Sequence, residues 1–430
     1  MRAARAAEWL LVGDAIERIL AAVPALPSER VSLLDAGGRV LAQPAISALT
    51  LPPWDNSGMD GYAVHAVDVE HASGADPAVL DVIGEVAAGE FPERALMRGE
   101  ALKIMTGAPL PSGADTVIRV EHTRIPSPDR VEILDVMDVR KNIRAAGEDV
   151  RVGETVLAAG IILRPAEIGV LASIGVAQAA VARHPRVAIL STGNELVDLD
   201  DAAEAFTGRR IINSNSYALA AGVRATGGVP VLLGIARDDA ADLRSRLEHS
   251  LDADVLITTA GASVGEHDLV KDALEEVGMK VHFWRVKMRP GSPFSFGVIE
   301  RSGLAPLPVF GLPGNPVSAV VTFELLVRPA LRRMLGRRCV YAVTETVQAG
   351  EVIESKPGMT HFLRATLRRG PGGLREATLT GPQGSGILTS VARADALLVV
   401  PLDVTEIPAG GHAAAVLLQA GDDAQDTLGF

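Results

Sequence analysis

Four carboxylates, Asp60, Glu195, Asp238 and Asp268, stand at loop ends beside short apolar runs. Several carboxylates brought together could hold Mg²⁺, which takes phosphate oxygens through one or two carboxylates plus water. Taken singly, a loop aspartate is more often a turn or cap residue. A second set is basic. Arg285, Lys287 and Arg289 alternate along Trp284-Arg-Val-Lys-Met-Arg-Pro290, and period-two spacing puts all three on one face of a strand. Such a row can grip phosphate or another oxyanion, or simply face solvent. The third feature is the loop Gly311-Leu-Pro-Gly-Asn-Pro-Val-Ser318. Its Gly311, Pro313, Gly314 and Asn315 read as a fixed anion cradle before a helix N-terminus, with a structural tight turn as the alternative. Gly261, Ser263 and Gly265 belong to a similar glycine-rich loop, Ala260-Gly-Ala-Ser-Val-Gly-Glu-His-Asp268. Neither loop has the Gly-Lys-Ser/Thr of a P-loop, and no Gly-x-Gly-x-x-Gly follows a strand near the start of this region. His65, His122 and His361 lie far apart, without zinc spacing. The chemistry supported is Mg²⁺-assisted handling of an anionic, phosphorylated ligand.

Such residues need a scaffold that gathers strand ends, and residues 186–331 have the pattern of one. Arg186-Val-Ala-Ile-Leu190, Asp254-Val-Leu-Ile-Thr-Thr259 and Pro308-Val-Phe310 are apolar runs that each break into a loop and then a helical pattern. That alternation predicts a parallel sheet covered on both faces, with ligands beyond the carboxyl ends of the strands. Ser214-Asn-Ser216 should cap a helix over 217–225, closed by Gly227-Gly228 and followed by a strand at 229–233. Asp238-Asp239 should start a helix with Leu243, Leu247 and Leu251 on one face. Residues 281–286 and 294–299 suggest two further strands, and Asn315-Pro316 a cap and first turn for a helix over 317–326.

Upstream, residues 14–22 carry apolar side chains at helical spacing. Short, turn-punctuated runs at 62–64, 79–86, 101–105, 116–120 and 131–136 predict a small β-rich domain. A strand at 153–157 and a helix at 165–174 are expected to fold with the N-terminal helix, which makes the β-rich domain an insertion. The tail carries strands at 342–347, 362–367, 397–400 and 413–418, a separate small β domain.

The bulk numbers narrow the class. A formal net charge of −12 argues against a general nucleic-acid or anionic-membrane binder. With 48% hydrophobic but only 3% aromatic residues, the cores must be built from Val, Leu, Ile and Ala, and 430 residues suggest two to four domains. Cys339 is the single cysteine, which excludes an intramolecular disulfide and a Cys-cluster metal site and fits a reducing compartment. The apolar run Trp9-Leu-Leu-Val12 is too short for a signal sequence, and no run approaches membrane-spanning length. A soluble, cytoplasmic protein is expected.

Pro52-Pro-Trp-Asp-Asn-Ser-Gly-Met-Asp-Gly-Tyr-Ala-Val64 resembles the signature of the molybdopterin molybdenumtransferases, relatives of the E domains of gephyrin and its plant counterpart. So do Met105-Thr-Gly-Ala-Pro109, Ser191-Thr-Gly-Asn-Glu-Leu196, Ser263-Val-Gly-Glu-His-Asp268, Pro290-Gly291 and Gly311-Leu-Pro-Gly-Asn-Pro-Val-Ser318, in the family's order and at its spacing. The resemblance implies an elongated homodimer of four-domain chains: a split first domain (1–50 and 145–183), an inserted β-rich domain (51–144), an α/β domain similar to pterin-adenylylating proteins (184–336) and a C-terminal β-barrel (337–430). The implied reaction inserts molybdenum from molybdate into adenylylated molybdopterin at the dithiolene sulfurs and releases AMP, assisted by Mg²⁺ or Zn²⁺. The implied site lies between the α/β domain of one subunit and the inserted domain of the other. Asp60 and Thr106 match functional positions of the inserted domain; Glu195, Asp238 and Asp268 match carboxylates that would carry catalysis and metal. Arg285 and Arg289 stand where the family has basic residues, and Arg364 and Ser385 match positions in the C-terminal domain. An acid near Asp60 would loosen an oxide of molybdate. Implied partners are a molybdopterin adenylyltransferase and apo-molybdoenzymes or their chaperones, with no nucleic acid and no membrane.

The sequence departs from the family pattern at Ala260 and Ala262, where serine and glycine are usual, at Lys287, and at Ser292, where lysine is common. Two alternatives stand beside the transferase: a non-catalytic scaffold on the same fold, and pterin adenylyltransferase activity. Retention of Asp60, Thr106, Glu195, Asp238 and Asp268 favours the enzyme, and the flanking domains disfavour the adenylyltransferase.

Overall fold

A computed structural model describes residues 9–237, 239–259, 269–370 and 373–418. Its centre is a seven-stranded sheet: β1 (Trp9–Leu10), β2 (Arg186–Thr192), β3 (Val229–Ala236), β4 (Val255–Thr259), β5 (Met279–Val286), β6 (Pro293–Ile299) and β7 (Leu307–Leu312). Their spatial order is β1-β5-β6-β7-β4-β2-β3. The four strands β3, β2, β4 and β7 run parallel. The expectation of a parallel sheet holds except at β6, which is antiparallel to both β5 and β7; the edge strand β1 pairs parallel with β5. Short links join 286 to 293 and 299 to 307, too short for the crossover that parallel neighbours need.

Alternation along each strand feeds two cores, as a sheet buried on both faces requires. Val187, Ile189, Val255, Ile257, Phe310 and Leu312 face one cluster; Ala188, Leu190, Leu256, Leu307 and Val309 face the other. The first cluster is closed by α1 (Val12–Ala22), α2 (Ser214–Thr226) and α5 (Pro316–Thr322). The second is closed by α3 (Ala240–Ser250) and α4 (Leu269–Glu276). After α5 the helical path continues through a π-turn at Phe323–Val327 into α6 (Arg328–Met334), beyond the expected end at 326.

The N-terminal helix is a correction. Ala15 and Ile19 of α1 pack into the first cluster of the central sheet, and Trp9–Leu10 is its edge strand. It packs on α6 and β5, apart from the core that residues 145–183 share. What does pair across the inserted region is Ser28–Ser32 with Gln178–Ala182 and Ala45–Ile46 with Thr155–Leu157. Residues from both sides share one core, among them Leu41, Val150, Leu163, Leu171 and Val181.

Between these pairings sits a six-stranded sheet ordered Thr116–Arg119, Gly61–Val64, Glu100–Ile104, Ala78–Val86, Arg130–Ile133 and Thr123–Ser127. Thr123–Ser127 was not anticipated, since only Ile125 among its residues has a strand-like apolar side chain. At the C-terminus, Thr360–Arg369, Arg375–Leu379, Thr344–Ala349, His412–Leu417 and Ala396–Val400 pair in sequence, and the last pairs back to the first, closing a five-stranded barrel. Arg375–Leu379 is again a strand that a charged sequence concealed. Among the described residues no helix is long and apolar enough to cross a membrane.

Candidate active site

The parallel strands end together. Thr192 pairs with Ala236, Ser191 with Thr259, and Thr259 with Leu312, so the loops after β2, β3, β4 and β7 leave one edge of the sheet. Asp238, Gly261, Ser263, Gly265 and Asp268 fall in these loops by sequence and lie outside the described residues. Glu195 is described and exposed. Its carboxylate folds back over Gly193, where an added Cβ would meet Oε2 at 2.5 Å; the φ of 141° also favours glycine there. Among the described residues no donor meets that carboxylate, and no three His, Cys, Asp or Glu side chains gather as a metal site.

A buried hydroxyl hub fixes this edge, and nothing in the sequence flagged it. Ser191 Oγ lies 3.0 Å from Asn213 Oδ1, 2.9 Å from Ser216 Oγ and 2.8 Å from Thr259 Oγ1. It thereby ties the end of β2 to the start of α2 and the end of β4. Each such buried bond, if left unmet, costs about 1–3 kcal/mol. Asn213 is also the true cap of α2: its side chain accepts from the Ser216 N–H, one residue earlier than the expected Ser214-Asn-Ser216. The freed Asn215 donates through Nδ2 to the Gly314 carbonyl at 2.7 Å, linking the α2 start to the loop after β7.

That loop differs from the expected cradle in two respects. Gly311 is a buried residue of β7, not a loop glycine; a Cβ there would meet Ser295 Oγ of β6 at 2.2 Å. Its role is close strand packing. Asn315 makes no side-chain cap bond, and the first available helix donor, Val317 N–H, is taken by the Ser385 carbonyl at 3.1 Å. Proline at 316 has no N–H to offer, so the barrel loop fills the helix entrance in place of the capping side chain. Pro313 is buried, while Gly314 and Asn315 remain exposed beside this contact.

The basic row behaves as its period suggests. Trp284, Val286, Met288 and Pro290 are buried, whereas Arg285, Lys287 and Arg289 are more open. Arg285 pairs with Pro293, two residues beyond the Ser295–Gly311 pair, so it reaches the same sheet edge as Pro313. Its guanidinium lies over the Trp9 ring, 5.1 Å from the centroid. Met288–Arg289 then leaves the sheet to join the barrel strand Thr360–Arg369, with Arg289 opposite His361. Burial, then the positive charge of Arg289, pushes the His361 imidazole below its ordinary pKa, which favours the neutral ring.

Further along that strand, Arg364 is 0% exposed. Its Nε donates to Ser390 Oγ at 3.0 Å and an Nη2 donates to the Gly384 carbonyl at 3.2 Å; Nη1 is buried with no acceptor. No ion pair with a carboxylate balances it among the described residues, and burial pushes its pKa down. A buried guanidinium without a countercharge is costly unless an anion completes it. The loop that carries Gly384 and Ser385 is the one seated on α5.

Asp60 and Thr106 form a separate group in the six-stranded domain. Thr106 donates its backbone N–H to Asp60 Oδ1 at 2.7 Å and its hydroxyl to the same oxygen at 2.8 Å. The backbone donor first, then the hydroxyl, holds the Asp60 carboxyl below its usual range. The Ser57 carbonyl, accepting from Gly107 N–H at 2.8 Å, binds the two loops together. Among the described residues no hydrogen bond or ion pair joins Asp60 or Thr106 to Glu195 or to the basic row.

Known proteins resemble this chain along most of its length. The family descriptions "MoeA N-terminal region (domain I and II)", "Probable molybdopterin binding domain" and "MoeA C-terminal region (domain IV)" match residues 10–175, 188–333 and 346–418. The molybdopterin molybdenumtransferase of Nostoc sp. is 37% identical over 93% of this chain and 92% of its own length. The chain belongs to the molybdopterin molybdenumtransferase family. Another member, molybdopterin molybdenumtransferase 2 of Mycobacterium tuberculosis, is 38% identical over 88% of this chain and 92% of its own length. The molybdopterin biosynthesis moeA protein of Pyrococcus horikoshii superposes with a TM-score of 0.82 at 29% identity, covering 95% of this chain and all (100%) of that structure. The family's fold therefore extends over the sheet edge, the Asp60–Thr106 pair and the barrel that holds Arg364.

Proposed function

We propose that this chain is a transferase that inserts molybdenum from molybdate into adenylylated molybdopterin, releasing AMP, and that it acts as a cytoplasmic homodimer. The observation that carries the reading is Arg364: a family member keeps, in a fully buried position, a guanidinium whose Nη1–H groups await an acceptor. A tetrahedral oxyanion such as molybdate supplies that acceptor and the missing charge. Arg289, beside His361 where the chain enters the barrel, and Arg285, at the end of β5, would neutralise further oxygens of molybdate and phosphate. Ser385, placed on the entrance of α5, and the exposed Gly314 and Asn315 would line the ligand's path.

The carboxylates Glu195, Asp238 and Asp268 form an all-oxygen donor set. It suits Mg²⁺, which prefers carboxylate and water, better than Zn²⁺, which prefers nitrogen and sulfur. Bound there, the metal would polarise the phosphoanhydride, and Glu195 is available because its oxygens meet no other donor among the described residues. Asp60, which accepts two hydrogen bonds from Thr106, would act as an ionised carboxylate that accepts protons or orients water. Asp60 belongs to a domain with its own cores, and no hydrogen bond joins it to Glu195 among the described residues, which supports a site completed by the inserted domain of a second copy. A pterin adenylyltransferase would supply the substrate, and apo-molybdoenzymes or their chaperones would receive the product.

The test is AMP release from adenylylated molybdopterin in a single turnover with Mg²⁺, with and without molybdate, for wild type and Asp268→Asn. Molybdate-dependent release that collapses in the variant is expected. Tight ligand binding with no AMP release would replace this reading with a carrier or scaffold.

A further inference from the structure

Two guanidinium groups outside the site described above each carry one buried N–H without an acceptor among the described residues. Arg332, in the last turn of α6, and Arg337, just past that helix, each keep an Nε–H out of solvent with no acceptor among the described residues. Arg332 directs its Nη1 to the carbonyls of Val340 at 3.1 Å and Tyr341 at 2.9 Å, on the linker into the barrel. The Arg337 backbone N–H donates to the Arg332 carbonyl at 3.0 Å, so both side chains spring from one turn. Burial foremost, then the charges of Arg337 and Arg328, lowers the Arg332 pKa; burial and Arg328 lower that of Arg337. Glu324 is the carboxylate that offsets this charge. Arg328 already holds both its oxygens at 2.6 Å. A guanidinium does not shed its proton near neutrality, so the excess positive charge stays.

We propose that Arg332 and Arg337 form a second anion site, which takes a small tetrahedral oxyanion: free inorganic phosphate or the phosphate of a nucleotide. The two guanidiniums lie close enough to repel each other, and an oxyanion that accepted from an Nε–H of each would offset that repulsion. The site lies where three parts of the chain meet. Val340 and Tyr341 lead into the barrel strand Thr344–Ala349, and the Arg338 N–H donates to the Gly160 carbonyl of the first domain at 3.0 Å. An anion there would fix the angle at which the barrel loop carrying Ser385 meets α5.

Thermal unfolding of the full chain tests this, in chloride and in inorganic phosphate at matched ionic strength, for wild type, Arg337→Gln and Arg364→Gln. A phosphate-dependent rise in Tm is expected for wild type and Arg364→Gln and is lost in Arg337→Gln. Arg337→Lys keeps the charge without the planar fork; it should weaken the apparent phosphate affinity by about tenfold, and it serves if the Gln variant fails to fold. AMP replaces phosphate in a second arm, scored as the part of the rise that Arg337→Gln abolishes: the same rise at about tenfold lower concentration assigns a nucleotide phosphate, and an equal or smaller effect assigns the inorganic anion. No rise in wild type would mean that water satisfies both donors, and the proposal fails. A rise that survives Arg337→Gln but vanishes in Arg364→Gln would place the phosphate at the substrate site, which also overturns it.

Discussion

Thr106 donates to Asp60 twice, and both donors favour the ionised carboxylate. Thr106→Val deletes the hydroxyl and keeps the backbone N–H, so the Asp60 pKa should move up toward the ordinary aspartate value. The sign follows from linkage: a depressed pKa keeps the ionised form at neutral pH and loses it only as pH falls through that depressed value. In the variant the loss comes at higher pH, and the acid limb of the pH–rate profile for AMP release should shift upward with it. A limb that stays put would mean that Asp60 protonation does not limit the reaction. Arg364 makes an opposite kind of prediction. Arg364→Met removes an unpaired buried charge, so stability should hold or rise, by up to about 1–4 kcal/mol in denaturant unfolding. Molybdate-dependent turnover should fall by about a hundredfold or more, as loss of a charge-assisted contact implies. Arg364 was legible in the sequence only through resemblance; Asp60, a loop-end carboxylate, and Thr106, a match to the family, were each legible alone. Their pairing was not: a threonine 46 positions from an aspartate carries no local pattern, and nothing in the run around Arg364 distinguishes a buried guanidinium from a surface one.

At the scale of elements, close strand approach decides what Gly311 is for. Gly311→Ala would drive a Cβ to 2.2 Å from Ser295 Oγ, at a cost of about 1–3 kcal/mol in denaturant unfolding. Removing that oxygen leaves Ser295 Cβ at 3.5 Å from the new methyl, an ordinary contact, so Ser295→Ala should recover most of the loss in the double variant. A ligand-binding glycine would show no such rescue. The strands with strong apolar runs, and the helices with caps or leucine stripes, were legible because periodicity reports burial directly. Thr123–Ser127 and Arg375–Leu379 were not, because edge and barrel strands with one open face can be built from polar residues. The Ser191 hub escaped for a related reason. A serine at the end of an apolar strand looks like the start of a loop, and only the fold brings Asn213, Ser216 and Thr259 around it.

For the whole molecule, the lack of any bond between Asp60 and Glu195 among the described residues, which belong to domains with separate cores, sets the oligomer prediction. The protein should elute at twice the chain mass of 44.9 kDa in light scattering. Mixing inactive Asp60→Asn with inactive Glu195→Gln chains should restore about a quarter of the activity, since half the reassorted dimers carry one intact site. No recovery after confirmed subunit exchange would place the site within one chain. The fold class and the order of units along the chain could be anticipated, whereas the seat of the N-terminal helix could not. An amphipathic stripe announces that it will be buried, without saying against what.

The central claim is metal transfer, and the most direct measurement is the molybdenum content of the pterin recovered after a single turnover with stoichiometric enzyme, Mg²⁺ and molybdate. One molybdenum gained per AMP released in wild type, with both lost in Arg364→Gln, is the predicted result. AMP released without molybdenum in the pterin would make the chain a hydrolase of the adenylylated pterin and contradict the account.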